Sequence, residues 1–451
     1  MTRMFGTDGV RGIANRDLTT ELAMKLGAAG AYVIANEAHR PRILIGCDTR
    51  RSADMLCAAL VAGICSVGGD VINVGEIPTP ALAYLVRKYG ADAAVMVSAS
   101  HNSMEYNGIK WFDRNGYKLS DSIEDEIEAI IKEERQLTRP EGEDVGKLIF
   151  AKRASDDYAE YLRSACDVSL EGLSIVLDCA NGASYRIAGK LFRSLGASVH
   201  CFADEPNGCN INEHCGSTHP ERLAELVQEL GADVGFAFDG DADRVIACDE
   251  FGNIVDGDKF MGVCAKHLKS EGKLASDTLV ITVMSNIGLK KAMAESGITC
   301  AETAVGDRYV LERMLKDGYS LGGEQSGHII FLDKNTTGDG MLSAVMLLNV
   351  LVKNKKTMSQ LMSAILTYPQ TLVNVLVDTK SQTLIMDDED VKKAVADISN
   401  ELADNGRVLL RKSGTEPLIR VMVEGNDQNR IESYAISIAK KIISKYGGRI
   451  K

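Results

Sequence analysis

The 451-residue sequence predicts an α/β protein: three similar α/β domains with mixed sheets, then a C-terminal α+β domain. Three observations carry this. A chain of this length exceeds what one core supports and suggests about three or four domains. From Arg42 onward, apolar β-branched runs alternate with helical patterns, and the same order of elements comes round three times. After about residue 366 the pattern changes to strands and helices that suit a small antiparallel sheet covered on one side. The expected domains are 1–153, 154–254, 255–366 and 367–451, with the functional loops meeting in a central interdomain cleft.

In the first pass, Arg42 to Cys47 is a strand, Ser52 to Gly68 a helix, Asp70 to Val74 a strand and Pro80 to Tyr89 a helix. They lead to the apolar run Ala91 to Val97 and its polar end Ser98-Ala99-Ser100-His101-Asn102. The second pass runs Leu173 to Asp178, Tyr185 to Leu195, Ser198 to Phe202, Pro220 to Leu230 and Ala232 to Phe238, ending in Asp239-Gly240-Asp241-Ala242-Asp243-Arg244. The third takes Asp277 to Val283, a helix from Gly288, Thr299 to Glu302, Asp307 to Leu315 and Tyr319 to Gly322, ending in Gly323-Glu324-Gln325-Ser326-Gly327-His328. Pro80 and Pro220 each open a helix that closes on Gly-Ala-Asp, and a hairpin-like pair follows each polar cluster. Any α/β fold repeats strand and helix, but plain alternation leaves the matched position of the clusters without a cause. In the fourth domain, strands at Leu372 to Val377, Arg407 to Leu410 and Leu418 to Glu424 join helices at Asp388 to Asn405 and Asn426 to Tyr446.

A net charge of −12 with no Lys/Arg-rich run argues against nucleic acid or anionic membranes as partners. An anionic substrate then needs a local basic pocket. Eleven cysteines, odd in number and without a C-x-x-C pair, argue against a disulfide framework and for a reducing compartment. Met1 to Gly12 has no apolar signal core, and no run of about 18 apolar residues follows, so a cytoplasmic location is expected.

Ligands of open parallel sheets gather at the carboxyl ends of strands, which makes Ser100 the candidate nucleophile, with His101 beside it in the same loop. A serine that caps the next element is the plainer account. Phe5 to Gly12 sets three glycines around Arg11, a composition suited to a tight loop that aims a cation, though a surface arginine on a lead-in strand fits as well. Asp239, Asp241 and Asp243 alternate with Gly240 and Ala242, so in extended chain their carboxylates share one face. Carboxylates about 4 Å apart repel by roughly 4 kcal/mol per pair at an intermediate dielectric, and a divalent cation relieves this. Oxygen-only ligands and a phosphate partner favour Mg²⁺. An EF-hand is a rival, because Glu250 takes its twelfth position, but Arg244 stands where that loop needs glycine and a strand replaces its entering helix. A solvated acidic turn is another.

In the third cluster Glu324 and Ser326 suit vicinal sugar hydroxyls, and His328 suits proton transfer near neutral pH, against a structural role for a lone histidine. Between the last strands, Arg411-Lys412-Ser413-Gly414-Thr415-Glu416-Pro417, with Arg420 beyond, offers cations, hydroxyls and free N–H groups to a phosphate, or is a plain basic hairpin tip. No Walker loop, G-x-G-x-x-G or H-E-x-x-H is present, so nucleotide-driven and zinc-protease chemistry have no support.

With these motifs in order, FGTDGVRG at Phe5, SASHN at Ser98, DGDADR at Asp239, GEQSGH at Gly323 and RKSGTEP at Arg411, the chain resembles the α-D-phosphohexomutase superfamily over essentially its whole length. Within it, the chain is most similar to the bacterial phosphoglucosamine mutase branch, through Asn210-Ile211-Asn212-Glu213, Cys215 to His219, Val305 to Tyr309, Gln325 and Gly414. It departs at Ser103, where the family commonly has proline, a change expected to loosen the loop but to leave the nucleophile in place.

The resemblance implies reversible interconversion of glucosamine 6-phosphate and glucosamine 1-phosphate through a sugar bisphosphate, feeding UDP-N-acetylglucosamine. The serine matching Ser100 is phosphorylated in the active form of similar enzymes. Mg²⁺ is then expected on Asp239, Asp241, Asp243 and a phosphate oxygen of Ser100, with Arg11 and Arg244 adding charge. By the same resemblance Lys110 and His328 move protons, Glu324 and Ser326 bind sugar hydroxyls, and Arg411, Ser413, Gly414, Thr415 and Arg420 hold the phosphate not reacting. Related enzymes are often dimers, so a homodimer is among the assemblies implied. Readings left beside this one are a phosphomannomutase or phosphoglucomutase of the same fold, a Ca²⁺-responsive binding protein and a phosphatase.

Overall fold

The computed structural model describes residues 3–6, 8–35, 40–413 and 417–451. They fall into two compact units, Met1–Met284 with Ser296–Ala364, and Ser285–Glu295 with Ile365–Lys451.

The first unit holds three mixed sheets. The first is built from β1 (Val10–Ile13), β2 (Arg42–Cys47), β3 (Asp70–Glu76), β4 (Ala93–Val97), β5 (Tyr106–Asp113) and β6 (Leu148–Phe150), in the order β1-β5-β4-β2-β3-β6. The second comprises β7 (Ser174–Asp178), β8 (Ser198–Phe202), β9 (Val234–Phe238), β10 (Val245–Asp249) and β11 (Ile254–Val255), ordered β11-β10-β9-β7-β8. The third, of β12 (Thr278–Thr282), β13 (Thr299–Thr303), β14 (Leu321–Gly323) and β15 (Ile329–Phe331), is ordered β13-β12-β14-β15. Stripped of edge additions, β5-β4-β2-β3, β10-β9-β7-β8 and β15-β14-β12-β13 are one topology. Three strands run parallel and a fourth returns antiparallel beside the third. The sequence repeat is therefore a structural one.

Burial on both faces explains why the central strands read as continuous apolar runs: β4 and β9 are buried at every residue. Around the first sheet, Leu26, Ile43, Ile45, Leu56, Leu60, Val95, Trp111 and Ile127 share one core. Each such side chain contributes about 1.5–3 kcal/mol on burial. The helix Thr20–Ile34, which has no counterpart among the expected elements, is capped by Thr19 Oγ1, which accepts from Leu22 N at 3.2 Å. It crosses Ala53–Ser66 at backbone contact. A Cβ on Gly27 would lie 2.6 Å from Leu60 O, and one on Gly63 would collide with Met24 O. Glycines that weaken a helical reading in sequence are here what lets two helices touch.

The helix Ile287–Glu295 follows β12, as a third α/β unit requires, yet it packs with the second compact unit: Asn286 Nδ2 donates to Tyr368 O at 2.9 Å and Lys291 Nζ to Tyr368 Oη at 3.0 Å. That unit contains an antiparallel sheet of β16 (Gln370–Leu376), β17 (Gly406–Lys412), β18 (Leu418–Gly425) and β19 (Arg449–Ile450), ordered β17-β18-β16-β19. Helices Glu389–Leu402 and Gln428–Tyr446 bury Val391, Ile398, Ile431, Ile438 and Ile442 in the same core as Val375, Val421 and Val423 of the sheet. This is the α+β arrangement expected.

Candidate active site

Each of the three polar clusters is the hairpin connection from the third strand of its sheet to the antiparallel fourth. β4 runs into Ser98 to Glu105, β9 into Asp239 to Arg244, and β14 into Glu324 to His328. Each loop contains one left-handed residue, Ser100 (φ 52°), Ala242 (φ 54°) and Gly327 (φ 93°), of which the first two bear a Cβ that disfavours this geometry.

Ser100 is 1% exposed and its Oγ donates to Asp239 Oδ2 at 2.6 Å. The loops of the first and second sheets thus meet at the predicted nucleophile. His101 Nδ1 is 3.4 Å from the same Oγ. Burial, then the positive charges of Arg244 and Arg11, push the His101 imidazole down to about 4, so it is neutral at neutral pH.

Asp239, Asp241 and Asp243 are buried, and one carboxylate oxygen from each lies within 4.8 Å of the others. They do not converge as expected, by alternation along extended chain. The segment is a tight turn in which Ala242 N donates to Asp239 O at 3.0 Å, and the left-handed Ala242 curls Asp243 back toward Asp239. The EF-hand alternative fails. Glu250 lies past β10 and accepts from Ser359 N at 3.0 Å and Ser359 Oγ at 2.6 Å. Burial and then the neighbouring carboxylates Asp243 and Asp241 raise Asp239 well above the ordinary carboxyl range. Asp241 Oδ1 and Asp243 Oδ1 are buried without a hydrogen-bond partner. Orphaned anionic oxygens converging on one point fit a hard divalent cation.

Cations surround this turn. Lys110, 1% exposed, places Nζ 2.7 Å from Asp241 Oδ2 and 3.1 Å from Asp8 Oδ2; although burial opposes its charge, Asp241 and Asp8 hold its pKa above the ordinary lysine value. Thr79 Oγ1 donates to the same Asp241 oxygen at 2.6 Å. Arg11, on β1, is hydrogen-bonded to Asp8; burial opposes its charge, but Asp8, Asp241 and Asp243 outweigh it. Arg244 is likewise raised, burial being overcome by Asp243 and Asp239.

His328, 2% exposed, comes from the third loop: Nδ1 lies 3.6 Å from Asp243 Oδ2, while Nε2 accepts from Gly338 N at 3.0 Å and lies 3.8 Å from Asp307 Oδ2. The accepted bond at Nε2 leaves the Nδ1 edge to face the aspartate. Asp307 in turn pairs with Lys118 Nζ at 2.6 Å, and Lys118 with Asp8 Oδ1 at 2.7 Å. Ser100, His101, Lys110, Arg11, Arg244, His328 and the triplet therefore belong to one charged cluster of the first unit. Glu324 is half-buried and its Oε1 accepts from Gly306 N at 2.9 Å, whereas Ser326 is exposed on the same loop.

The second unit carries Arg411, Ser413 and Arg420, while the expected Gly414 and Thr415 lie outside the described residues. Arg411 and Arg420 are direct cross-strand partners on β17 and β18. Burial and then the facing Arg420 lower the Arg411 pKa, and Arg411 Nε is buried without a hydrogen-bond partner. Like charges set opposite each other destabilise a sheet unless an anion sits between them.

Sequence reasoning missed several supports. Asp8 lay in the opening motif and Asp48 and Arg50 directly after β2, positions that could have been read; Thr79, Lys118 and Asp307 carry no local signal, because only the tertiary fold brings them in.

Four family models match the chain: phosphoglucomutase/phosphomannomutase alpha/beta/alpha domain I at residues 2–138, domain II at 156–252, domain III at 256–368, and the C-terminal domain at 372–441. The phosphoglucosamine mutase of Clostridium acetobutylicum is 54% identical over 446 residues, covering 99% of this chain and 100% of that protein. The enzyme of the same name from Thermoanaerobacter sp. is 55% identical over 445 residues, with 99% and 100% covered. Among solved structures, a phosphoglucomutase/phosphomannomutase family protein from Burkholderia thailandensis shares the fold, with TM-score 0.84, 24% identity and 99% of each chain covered.

Proposed function

The chain belongs to the phosphoglucomutase/phosphomannomutase family, and from that premise we propose that it is an isomerase interconverting glucosamine 6-phosphate and glucosamine 1-phosphate. The observation that carries this is the Ser100 hydroxyl, buried at the end of β4 and hydrogen-bonded to the aspartate turn of another sheet. Full-length identity above 50% to phosphoglucosamine mutases supports the amino sugar as substrate.

In this reading Ser100 carries the phosphoryl group in the active enzyme. Its ester oxygen is the leaving group when a sugar hydroxyl takes the phosphoryl, and the acceptor when the second phosphate of the bisphosphate returns. Asp239, Asp241 and Asp243 are the residues that would hold a divalent cation, Mg²⁺ by their all-oxygen donor set, which when bound supplies positive charge to the phosphoryl oxygens. Arg11 and Arg244 add fixed positive charge at the same turn. Lys110, held as an ammonium by Asp241 and Asp8, is one proton-transfer group, and His328, set between Asp243 and Gly338, is the second. Glu324 and Ser326 take sugar hydroxyls. Arg411, Arg420 and Ser413, with Gly414 and Thr415, take the phosphate that is not reacting.

Initial rates on glucosamine, glucose and mannose phosphates, measured side by side with free phosphate release, test the reading. Fastest turnover on the glucosamine esters with little free phosphate is expected. A faster rate on mannose or glucose esters would reassign the substrate. Phosphate release at the turnover rate would make the protein a phosphatase.

A further inference from the structure

The stretch Asn210 to Glu213 marks the branch to which the sequence is most similar, but no step of the reaction above uses it. In the structure it has a definite task. Asn212 is 8% exposed and in the left-handed region (φ 58°), and its Nδ2 reaches Ser100 O at 2.9 Å and Asn102 O at 3.0 Å. The same two carbonyls accept from Arg50 Nη2 at 2.9 Å and 2.8 Å. Arg50 also donates to Ser103 O and Tyr106 O, and its own Nε is fixed on Asp48 Oδ2 at 2.9 Å with both side chains fully buried. Asp48 Oδ2 accepts in addition from Ser98 Oγ at 2.7 Å, and Ser98 Oγ from Ser100 N at 3.0 Å.

Two carbonyls of the serine loop are thus each gripped twice, once by Arg50 following β2 and once by Asn212 from the segment between β8 and β9. Gly240 of the aspartate turn closes the same place: a Cβ there would stand 2.5 Å from Ser100 O and 2.9 Å from Asn212 Nδ2. Asn212 N is held in turn by Ala180 O at 2.9 Å. A serine forced to φ 52° keeps that conformation only where its surroundings over-determine it, and these donors supply that constraint.

We propose that Asn212, acting with Arg50, is a positioning residue for phosphoryl transfer: by gripping Ser100 O and Asn102 O it fixes the serine loop of the first sheet in register with the aspartate turn of the second. The inference rests on the reading of Ser100 as the phosphoryl carrier. Asn212 touches no reacting atom. Its effect is on the distance and angle between the phosphoserine and the carboxylate cluster, which matter to the transfer step and not to how tightly the sugar phosphate is first held.

Asn212→Gly tests this, because glycine accepts the backbone angle and removes only the amide. Asn212→Asp keeps size and shape but turns the donor into an anion facing two carbonyls. Both variants should lose kcat by about 10- to 100-fold, the scale on which small misplacements act. KM should stay within about twofold. Asn212→Asp should be the worse, and Arg50→Lys, which keeps the charge on Asp48 but loses the fork, should lose kcat in the same way. The fraction of Ser100 phosphorylated by glucose 1,6-bisphosphate, read by intact mass against time, normalises each rate to active sites and gives a readout independent of turnover. If a variant folds poorly, the others and this normalisation still decide. The proposal is overturned if Asn212→Gly retains kcat and phosphorylation rate within about twofold, or if its loss vanishes once rates are expressed per phosphorylatable site. Wild-type protein that phosphorylates Ser100 but turns over no hexosamine or hexose phosphate would overturn the functional reading, while the phosphorylation rates would still judge Asn212.

Discussion

Ser100 Oγ donates a 2.6 Å hydrogen bond to Asp239 Oδ2, a residue 139 positions further along the chain and at the end of a strand in a different sheet. Within their own loops Ser100 Oγ lies 3.4 Å from His101 Nδ1 and the Asp239 carboxylate accepts from Arg244 N at 3.2 Å, so the shorter contact comes from two copies of one topology presenting their hairpins to each other.

Ser100→Ala should abolish mutase turnover while leaving melting temperature close to that of the wild type, since one hydrogen bond between neutral and charged groups contributes about 1.5–3 kcal/mol. Intact mass after glucose 1,6-bisphosphate checks the site directly. Wild type should gain one phosphate and the variant none; substantial residual turnover in the variant would remove Ser100 from the chemistry.

Chelation followed by Mg²⁺ addition should switch activity off and on. The same titration should raise thermal stability, because an ion that satisfies the buried oxygens of Asp241 and Asp243 binds only the folded chain, adding about 2.7 kcal/mol at one hundred times its dissociation constant. A melting curve and an activity that ignore EDTA would count against the aspartate turn as a metal centre.

Replacing Arg411 or Arg420 with alanine should raise KM by roughly 10- to 100-fold, the loss of a charge-assisted hydrogen bond of about 1.5–3 kcal/mol, and change kcat less. On the proposed reading a phosphate contact is made before and during transfer alike, which is why KM and not kcat carries the effect. Unaltered KM in both variants would mean that the facing guanidiniums bind something else.

A pH effect on stability is expected at Asp339, which caps the helix Gly340–Asn354 and accepts from Tyr158 Oη at 2.8 Å and Leu342 N at 3.0 Å. Burial, only partly offset by these donors, pushes its carboxyl up to about 6 from 3.8. A carboxyl raised on folding favours the folded state while protonated, so its contribution is complete below pH 4 and is lost as pH rises through about 6. The loss is at most about 3 kcal/mol. Asn at this position keeps a capping oxygen without the charge. Denaturant unfolding of Asp339→Asn and wild type should therefore diverge in favour of the variant between pH 4 and 7; parallel pH profiles would refute the assignment.

The sequence made the repeat legible because the elements that define it are punctuated: Pro80 and Pro220 open helices, Gly-Ala-Asp closes them, and buried strands such as β4 and β9 are unbroken apolar runs. The candidate residues Ser100, His101, the aspartate triplet and His328 were legible for the same reason, lying in loops just beyond the strands β4, β9 and β14. What could not be read was anything fixed by partners distant in the chain. The helix Thr20–Ile34 hid behind Gly27 and Gly30, whose purpose appears only against Leu60 and Trp111. The aspartate cluster was foreseen, but its convergence by a turn depends on left-handed Ala242, a residue type that rarely signals that backbone. Lys118 and Asp307 are ordinary surface-type residues in sequence and become part of the site only through their ion pair.

The placement of all three polar loops at a hairpin bears on how the chain tolerates change. A hairpin connection can lengthen, shorten or change composition while the parallel strands behind it keep their pairing, so each of the three loops can differ without disturbing the packing of its sheet. The clusters that follow β4, β9 and β14 differ in composition on one strand topology, so exchanging residues within those turns should change what the protein does with less loss of stability than exchanging residues of the strands beneath them.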